Sequence, residues 1–192
     1  LGYGKSLHEL IQRRLDAEKP WSDKELDTAA TDNVLLPYMS EEGEARARNT
    51  IKSYVKELGA LGLLDAEVES EIPVEMILKG GIVHGTIDAV QLEATGSVCV
   101  RDWKSSIHAG FLRRYDVQLK FYVAALRQKG RDVSGAEIIN VKETVRTRKV
   151  VKTSVDITGG SVQAAIQEIQ DALDGIQEAR YCPTPGVEVC EA

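Results

Sequence analysis

The sequence predicts an α/β/α sandwich built on a mixed central β-sheet. Three observations point there: apolar stripes at helical spacing, three β-patterned runs in succession between residues 66 and 103, and a further helix followed by more strand. A chain of 192 residues that is 43% hydrophobic can bury one sizeable core, so residues 1–192 read as a single domain.

Residues 4–18 read as a helix because Leu7, Leu10, Ile11 and Leu15 form a stripe. Residues 19–39 read as irregular, with Pro20 and Pro37 among scattered Asp and Thr. Residues 40–60 open with Ser40 and acidic residues, a helix start. Residues 66–78 alternate as a strand, and Pro73 places that strand at an edge or a bulge. Residues 81–93 are rich in β-branched positions, and residues 98–103 resume the pattern after the turn Ala94-Thr95-Gly96-Ser97, so the two runs form a hairpin. Residues 115–129 are an amphipathic helix. Residues 136–144 and 149–157 read as two strands around a basic turn, and residues 160–178 as a last helix. The tail from Arg180 carries Pro183-Thr184-Pro185-Gly186.

A formal charge of −6 argues against a protein that coats nucleic acid nonspecifically, but not against one that cuts it, since carboxylates gather at metal sites. Positive charge concentrates in the second half, at Arg113, Arg114, Lys120 and the run 142–152 (KETVRTRKVVK). That run suits a solvated hairpin and a phosphate track equally. No run approaches the ~18 apolar residues of a membrane span, and no signal-peptide pattern opens the chain. Three widely spaced cysteines make no disulfide framework and fit a reducing cytoplasm. Leu1 in place of Met suggests a piece of a longer protein.

The chemistry concentrates in Gly85-Thr86-Ile87-Asp88 and Asp102-Trp103-Lys104, on consecutive strands. Alternation puts Val98, Val100, Asp102 and Lys104 on one face, and Ile82, His84, Thr86, Asp88 and Val90 on one face of the partner strand. If those faces coincide, two carboxylates and a lysine converge beside an apolar layer. An unpaired carboxylate there is costly, and a hard divalent cation would resolve the conflict. A histidine could join such a site from His8, His84 or His108. His84 lies ~13 Å along a strand from Asp88, too far to share one ion with it, whereas His108, in a loop, could approach.

With these residues in hand, the chain resembles the RecB-like branch of the PD-(D/E)XK nuclease superfamily, of the helicase-associated or CRISPR-associated exonuclease type. The motifs occur in family order: Gly4-x-x-x-His8, Gly85-x-x-Asp88, Asp102-Trp103-Lys104 and Gln118-x-x-x-Tyr122. The resemblance implies a restriction-endonuclease-like fold with Asp88, Asp102 and the Trp103 carbonyl as ligands of Mg²⁺ or Mn²⁺. It adds His8 to those metal ligands, from the first helix, and gives Lys104 the task of positioning the attacking water. Gln118 and Tyr122 would support the site and contact the nucleic acid, and Arg113 and Arg114, just before their helix, could contact phosphates.

The activity implied is metal-dependent hydrolysis of DNA, by single-strand exonuclease action in repair or recombination. The enzyme would be bacterial or phage-type and cytoplasmic, and part of or beside a helicase, although no Walker phosphate loop occurs in this chain. A noncatalytic nucleic-acid-binding module or an endonuclease of the same fold are the alternatives. Several RecB-like nucleases also hold a 4Fe-4S cluster through one upstream and three terminal cysteines. Cys190 resembles the first of such a terminal group, and Cys182 lies near it, so a cluster would need further ligands from a longer parent protein.

Overall fold

The computed structural model describes residues 3–17, 19–34, 36, 38–64, 67–107 and 109–178. Three helices come first: α1 (Tyr3–Leu15), α2 (Asp23–Asn33) and α3 (Glu41–Ala60). A meander follows, β1 (Val68–Leu78), β2 (Gly81–Leu92) and β3 (Val98–Lys104), then α4 (Leu112–Gln128), β4 (Val133–Asn140), α5 (Val141–Thr147), β5 (Lys152–Ser154) and α6 (Gly159–Gln177). The sheet runs in chain order, β1-β2-β3-β4-β5, antiparallel except for the parallel pair β3–β4 that α4 connects. It is the mixed sheet that the sequence predicts.

Each face of the sheet carries its own core. On one, Leu7, Leu10 and Ile11 of α1, Leu26 of α2, and Ile51, Val55 and Leu58 of α3 pack on Ala89, Trp103 and Ile139. On the other, Leu119, Phe121, Tyr122 and Val123 of α4 and Val162 of α6 pack on Val74, Met76, Ile87, Val100 and Ile138. The helical stripe read from residues 4–18 is therefore the surface that docks α1, and each strand is read from both sides in turn.

Two segments differ from the sequence reading. Residues 19–39 contain α2, which begins with a reciprocal cap: the Ser22 hydroxyl accepts from the Glu25 N–H at 3.3 Å, and the Ser22 N–H donates to the Glu25 carboxylate at 2.7 Å. The Ser-x-x-Glu signature that specifies this cap was present amid the polar residues. Residues 141–147 form α5 rather than the end of a strand, because the Asn140 side chain accepts from the Glu143 N–H at 3.3 Å and starts a helix. Only Lys152–Ser154 then remains as strand. Among the described residues no helix is long and apolar enough to cross a membrane.

Midway along β3, the Arg101 guanidinium donates to buried Glu137 at 2.8 Å and to Gln91 at 2.8 Å, while Lys152 donates to the other Glu137 oxygen at 2.5 Å. Removing one partner of a buried pair strands the other charge, which is costlier than never burying either. Glu137→Ala is accordingly expected to lower the free energy of unfolding by about 3 kcal/mol in a urea titration. A variant as stable as the parent would show that Arg101 finds water instead.

Candidate active site

The site is built around Trp103. Its indole is buried with α1 and α3 on one face of β3, so Asp102 and Lys104 project to the opposite face, toward α4. Asp102 is 1% exposed. One of its oxygens accepts from the Lys104 ammonium at 2.7 Å, and the other is buried with no hydrogen-bond partner among the described residues. The Trp103 main chain is used on both sides. Its N–H donates to Asp88 Oδ2 at 2.9 Å, and its carbonyl oxygen accepts from His8 Nε2. A carbonyl can only accept, so His8 Nε2 carries the proton in this arrangement. His8 Nδ1 stands 3.5 Å from Asp88 Oδ2.

Burial, and then the neighbouring Asp102 charge, push the Asp88 carboxyl up to about 7. Burial, and then Lys104, hold His8 below the ordinary histidine value, so the imidazole is neutral near pH 7. Two converging carboxylates, one with an orphaned oxygen and the other held close to neutral pH, are a donor set in want of positive charge. The Lys104 ammonium supplies part of it. The Trp103 carbonyl adds a third oxygen, and hard oxygen donors of this kind fit a small divalent cation. Among the described residues no three His, Cys, Asp or Glu side chains gather into a closed cage. A cation held by Asp88, Asp102 and the Trp103 carbonyl would keep its remaining positions for water and substrate, as Mg²⁺ prefers.

The glycine of Gly85-x-x-Asp88 has a steric reason. A Cβ there would lie 2.7 Å from Tyr122 Cε1 and 3.0 Å from Phe121 Cε1, so only glycine lets α4 approach β2 this closely. Tyr122 in turn accepts from Gln118 Nε2 at 2.8 Å, and the charges of Asp88 and Asp102 are felt at its ring. The Gln118–Tyr122 pair thus stands over the two acids.

The shared face expected for Ile82, His84, Thr86 and Asp88 is broken. Ile72, Val74, Met76, Gly85 and Ile87 turn toward α4, whereas Val68 and Ala89 turn toward α1 and α3. The alternation slips where Glu71 on β1 lies opposite Asp88, and Glu71 has a φ of 48°, in the left-handed region. His84 is left on the exposed surface, 3.8 Å from Glu75, and takes no part in the site.

The structure therefore brings together His8, Asp88, Asp102, Trp103, Lys104, Gln118 and Tyr122. Arg113 is directed elsewhere, to Glu168 of α6 at 3.2 Å. The Arg114 guanidinium lies 5.9 Å from the Phe111 ring centre. Cys99 is buried in β3, with its thiol pushed up to about 11 by burial and by Glu137. His108, Cys182 and Cys190 lie outside the described residues. Two neighbours of the site were missed. Glu71 exerts its charge on Asp88, His8 and Tyr122, and an acid beside Pro73 in a strand is too common a pattern to single out. Tyr115 lies under the Lys104 ammonium, 5.0 Å from the ring centre, and its spacing from Gln118 and Tyr122 on one helical face was legible.

The model of the PD-(D/E)XK nuclease superfamily matches residues 2–192. Among solved structures, a candidate exonuclease from Eubacterium rectale superposes with a TM-score of 0.57 at 14% identity, covering 99% of this chain and 73% of that one. A second protein, SSO0001, gives a TM-score of 0.46 at 15% identity over 93% of this chain and 86% of that one. No curated protein matches the chain.

Two outcomes follow from the geometry. Gly85→Ala must displace the Tyr122 ring, and overpacking of this kind costs ~1–3 kcal/mol, read as a lower urea midpoint; an unchanged midpoint would mean that α4 yields freely. The second concerns Asp88. A carboxyl whose folded value lies near 7, against 3.8 ordinarily, favours the fold only while protonated, so that contribution fades as pH rises through 7. Asp88→Asn cannot ionise, and in EDTA at pH 8 it should exceed the parent in stability by on the order of 2 kcal/mol, with little difference at pH 4. A destabilised variant at pH 8 would place the ionised carboxylate among the groups that hold the fold.

Proposed function

The chain belongs to the PD-(D/E)XK nuclease superfamily, and on that premise we propose that it is a divalent-metal-dependent deoxyribonuclease of the RecB-like branch, acting as an exonuclease on single strands. The observation that carries this reading is the buried Asp102 oxygen without a partner, beside Asp88 and Lys104. Buried polar atoms are ordinarily paired, so an oxygen left open beside a second carboxylate supports a cation there.

PD-(D/E)XK nucleases generally use divalent metals such as Mg²⁺. Held by Asp88, Asp102 and the Trp103 carbonyl, such an ion would make a bound water acidic and offset charge on the phosphate. The protein's own groups do the rest. Lys104, fixed between Asp102 and the Tyr115 ring, would orient the attacking water and offset the negative charge that develops. Attack in line at phosphorus forms a new P–O bond and breaks the bond to the 3′ oxygen, leaving a 5′-phosphate and a 3′-hydroxyl. His8 holds the Trp103 carbonyl from the side of α1 and stays neutral, so it does not repel a cation. The hydrogen-bonded Gln118–Tyr122 pair places polar tips beside the acids, where a sugar–phosphate backbone would pass.

Exonuclease rather than sequence-specific action is favoured because no base-reading module is recognisable in the sequence. A role beside a helicase in DNA repair or recombination rests on the motif order of the RecB-like branch alone, and a 4Fe-4S cluster on the resemblance of Cys190 to the first of a terminal cysteine group.

Digestion of end-labelled linear single- and double-stranded DNA with Mg²⁺, Mn²⁺ or EDTA tests the reading. Metal-dependent degradation is expected, abolished by EDTA and reduced at least a hundredfold in Lys104→Ala. Circular single-stranded DNA should survive, since it has no ends. Full activity in EDTA would sink the metal-dependent reading, and no activity from a folded protein with either metal would leave a noncatalytic module.

A further inference from the structure

The loop that leaves the active-site strand enters α4 through Phe111, a large apolar side chain that remains 44% exposed. One helical turn on is Tyr115, whose ring centre is 6.4 Å from that of Phe111, with the planes inclined by 35°. A cation lies near each ring: the Lys104 ammonium is 5.0 Å from the centre of Tyr115, and the Arg114 guanidinium is 5.9 Å from the centre of Phe111. An aromatic step with flanking cations therefore starts at the active-site lysine and runs outward along the N-terminal turns of α4.

We propose that Phe111 and Tyr115 are a stacking platform for an unpaired base of the substrate strand, next to the scissile phosphate. The inference rests on the nuclease reading and deepens it. Flat π-faces beside positive charge match a ligand that is both planar and anionic, and a nucleotide in a single strand is both. A duplex is a poor match, because its bases already stack on one another and must be unstacked before a face becomes available. An apolar protein partner matches poorly too, since it would need a contiguous apolar patch, whereas this step is bordered by Arg114 and Lys104. The chain as a whole is acidic, with a formal charge of −6, so cations gathered here are a local feature. Lys104 ties the platform to the chemistry, because the ammonium over Tyr115 is the one that donates to Asp102 at 2.7 Å. A base resting on the rings would hold its own phosphate within one nucleotide of the acids.

The test compares the parent, Phe111→Ala and Phe111→Trp by fluorescence anisotropy in EDTA. The probes are a labelled single-stranded oligonucleotide, an abasic strand of equal length and a duplex. Phe111→Ala should weaken binding of the base-bearing strand about tenfold, Phe111→Trp should preserve it, and the abasic strand and duplex should be held alike by all three. An equal loss for the base-bearing and abasic strands, no loss at all, or a parent that binds no single strand overturns the platform. Hydrolysis by the parent in Mg²⁺, measured in parallel, separates the two ideas. Cleavage without Phe111 selectivity removes the platform alone, and Phe111 selectivity without cleavage supports the platform but removes the nuclease reading.

Discussion

Everything in the site depends on one residue having two orthogonal roles. The Trp103 side chain is a buried post against which α1 and α3 pack, and its main chain holds Asp88 through the N–H and His8 through the carbonyl. Because side chains alternate along a strand, burying the indole on one face obliges Asp102 and Lys104 to emerge on the other. The position of the acids is thereby as rigid as the core itself. A site borne on a loop would need its own supports, whereas here the sheet and the first helix supply them.

The same packing makes the arrangement costly. Asp102 is buried with one oxygen unsatisfied, Asp88 is forced toward its protonated form, and Glu71 adds charge from a backbone position that non-glycine residues rarely adopt. Each is unfavourable alone. Lys104 offsets part of the charge but cannot reach every oxygen, so the protein holds a standing excess of negative potential in a water-poor place. Such an excess is what a divalent cation would neutralise, and it accounts for the breaking of local rules of stability at this place.

Much of this was legible in the sequence. The spacing of Asp88, Asp102 and Lys104, with turn residues between them, sufficed to form the hairpin and to bring the acids together. Residues 4–18 showed the stripe that docks α1. Parity was legible only in β3. In β2 the alternation slips beside Glu71, and strand counting cannot anticipate a slip that depends on the partner strand. The helices α2 and α5 were hidden for a different reason. Both are short and polar and lack a strong apolar stripe, so periodicity was weak, yet each is announced by a capping side chain with a glutamate three residues on. Local hydrogen-bonding chemistry specified them where hydrophobic pattern did not.

The fate of the basic run shows why charge counts along a chain are a poor guide to where a polyanion lies. In the run 142–152, Arg146 is engaged by Glu143 and Lys152 by Glu137, while buried Val141 and Thr144 anchor the helix beneath them. These cations answer acids of the protein itself, and the segment serves to close the sheet edge beyond β4. Beside the N-terminal turns of α4, Arg114 is instead placed by the Phe111 ring, while Lys104 of β3 is shared between the Asp102 carboxylate and the Tyr115 ring. A ring attracts a cation without neutralising it, whereas a carboxylate cancels its charge. If the aromatic step receives the substrate strand, a strand that approaches the acids from the N-terminal end of α4 would pass Arg114 before it meets the carboxylates.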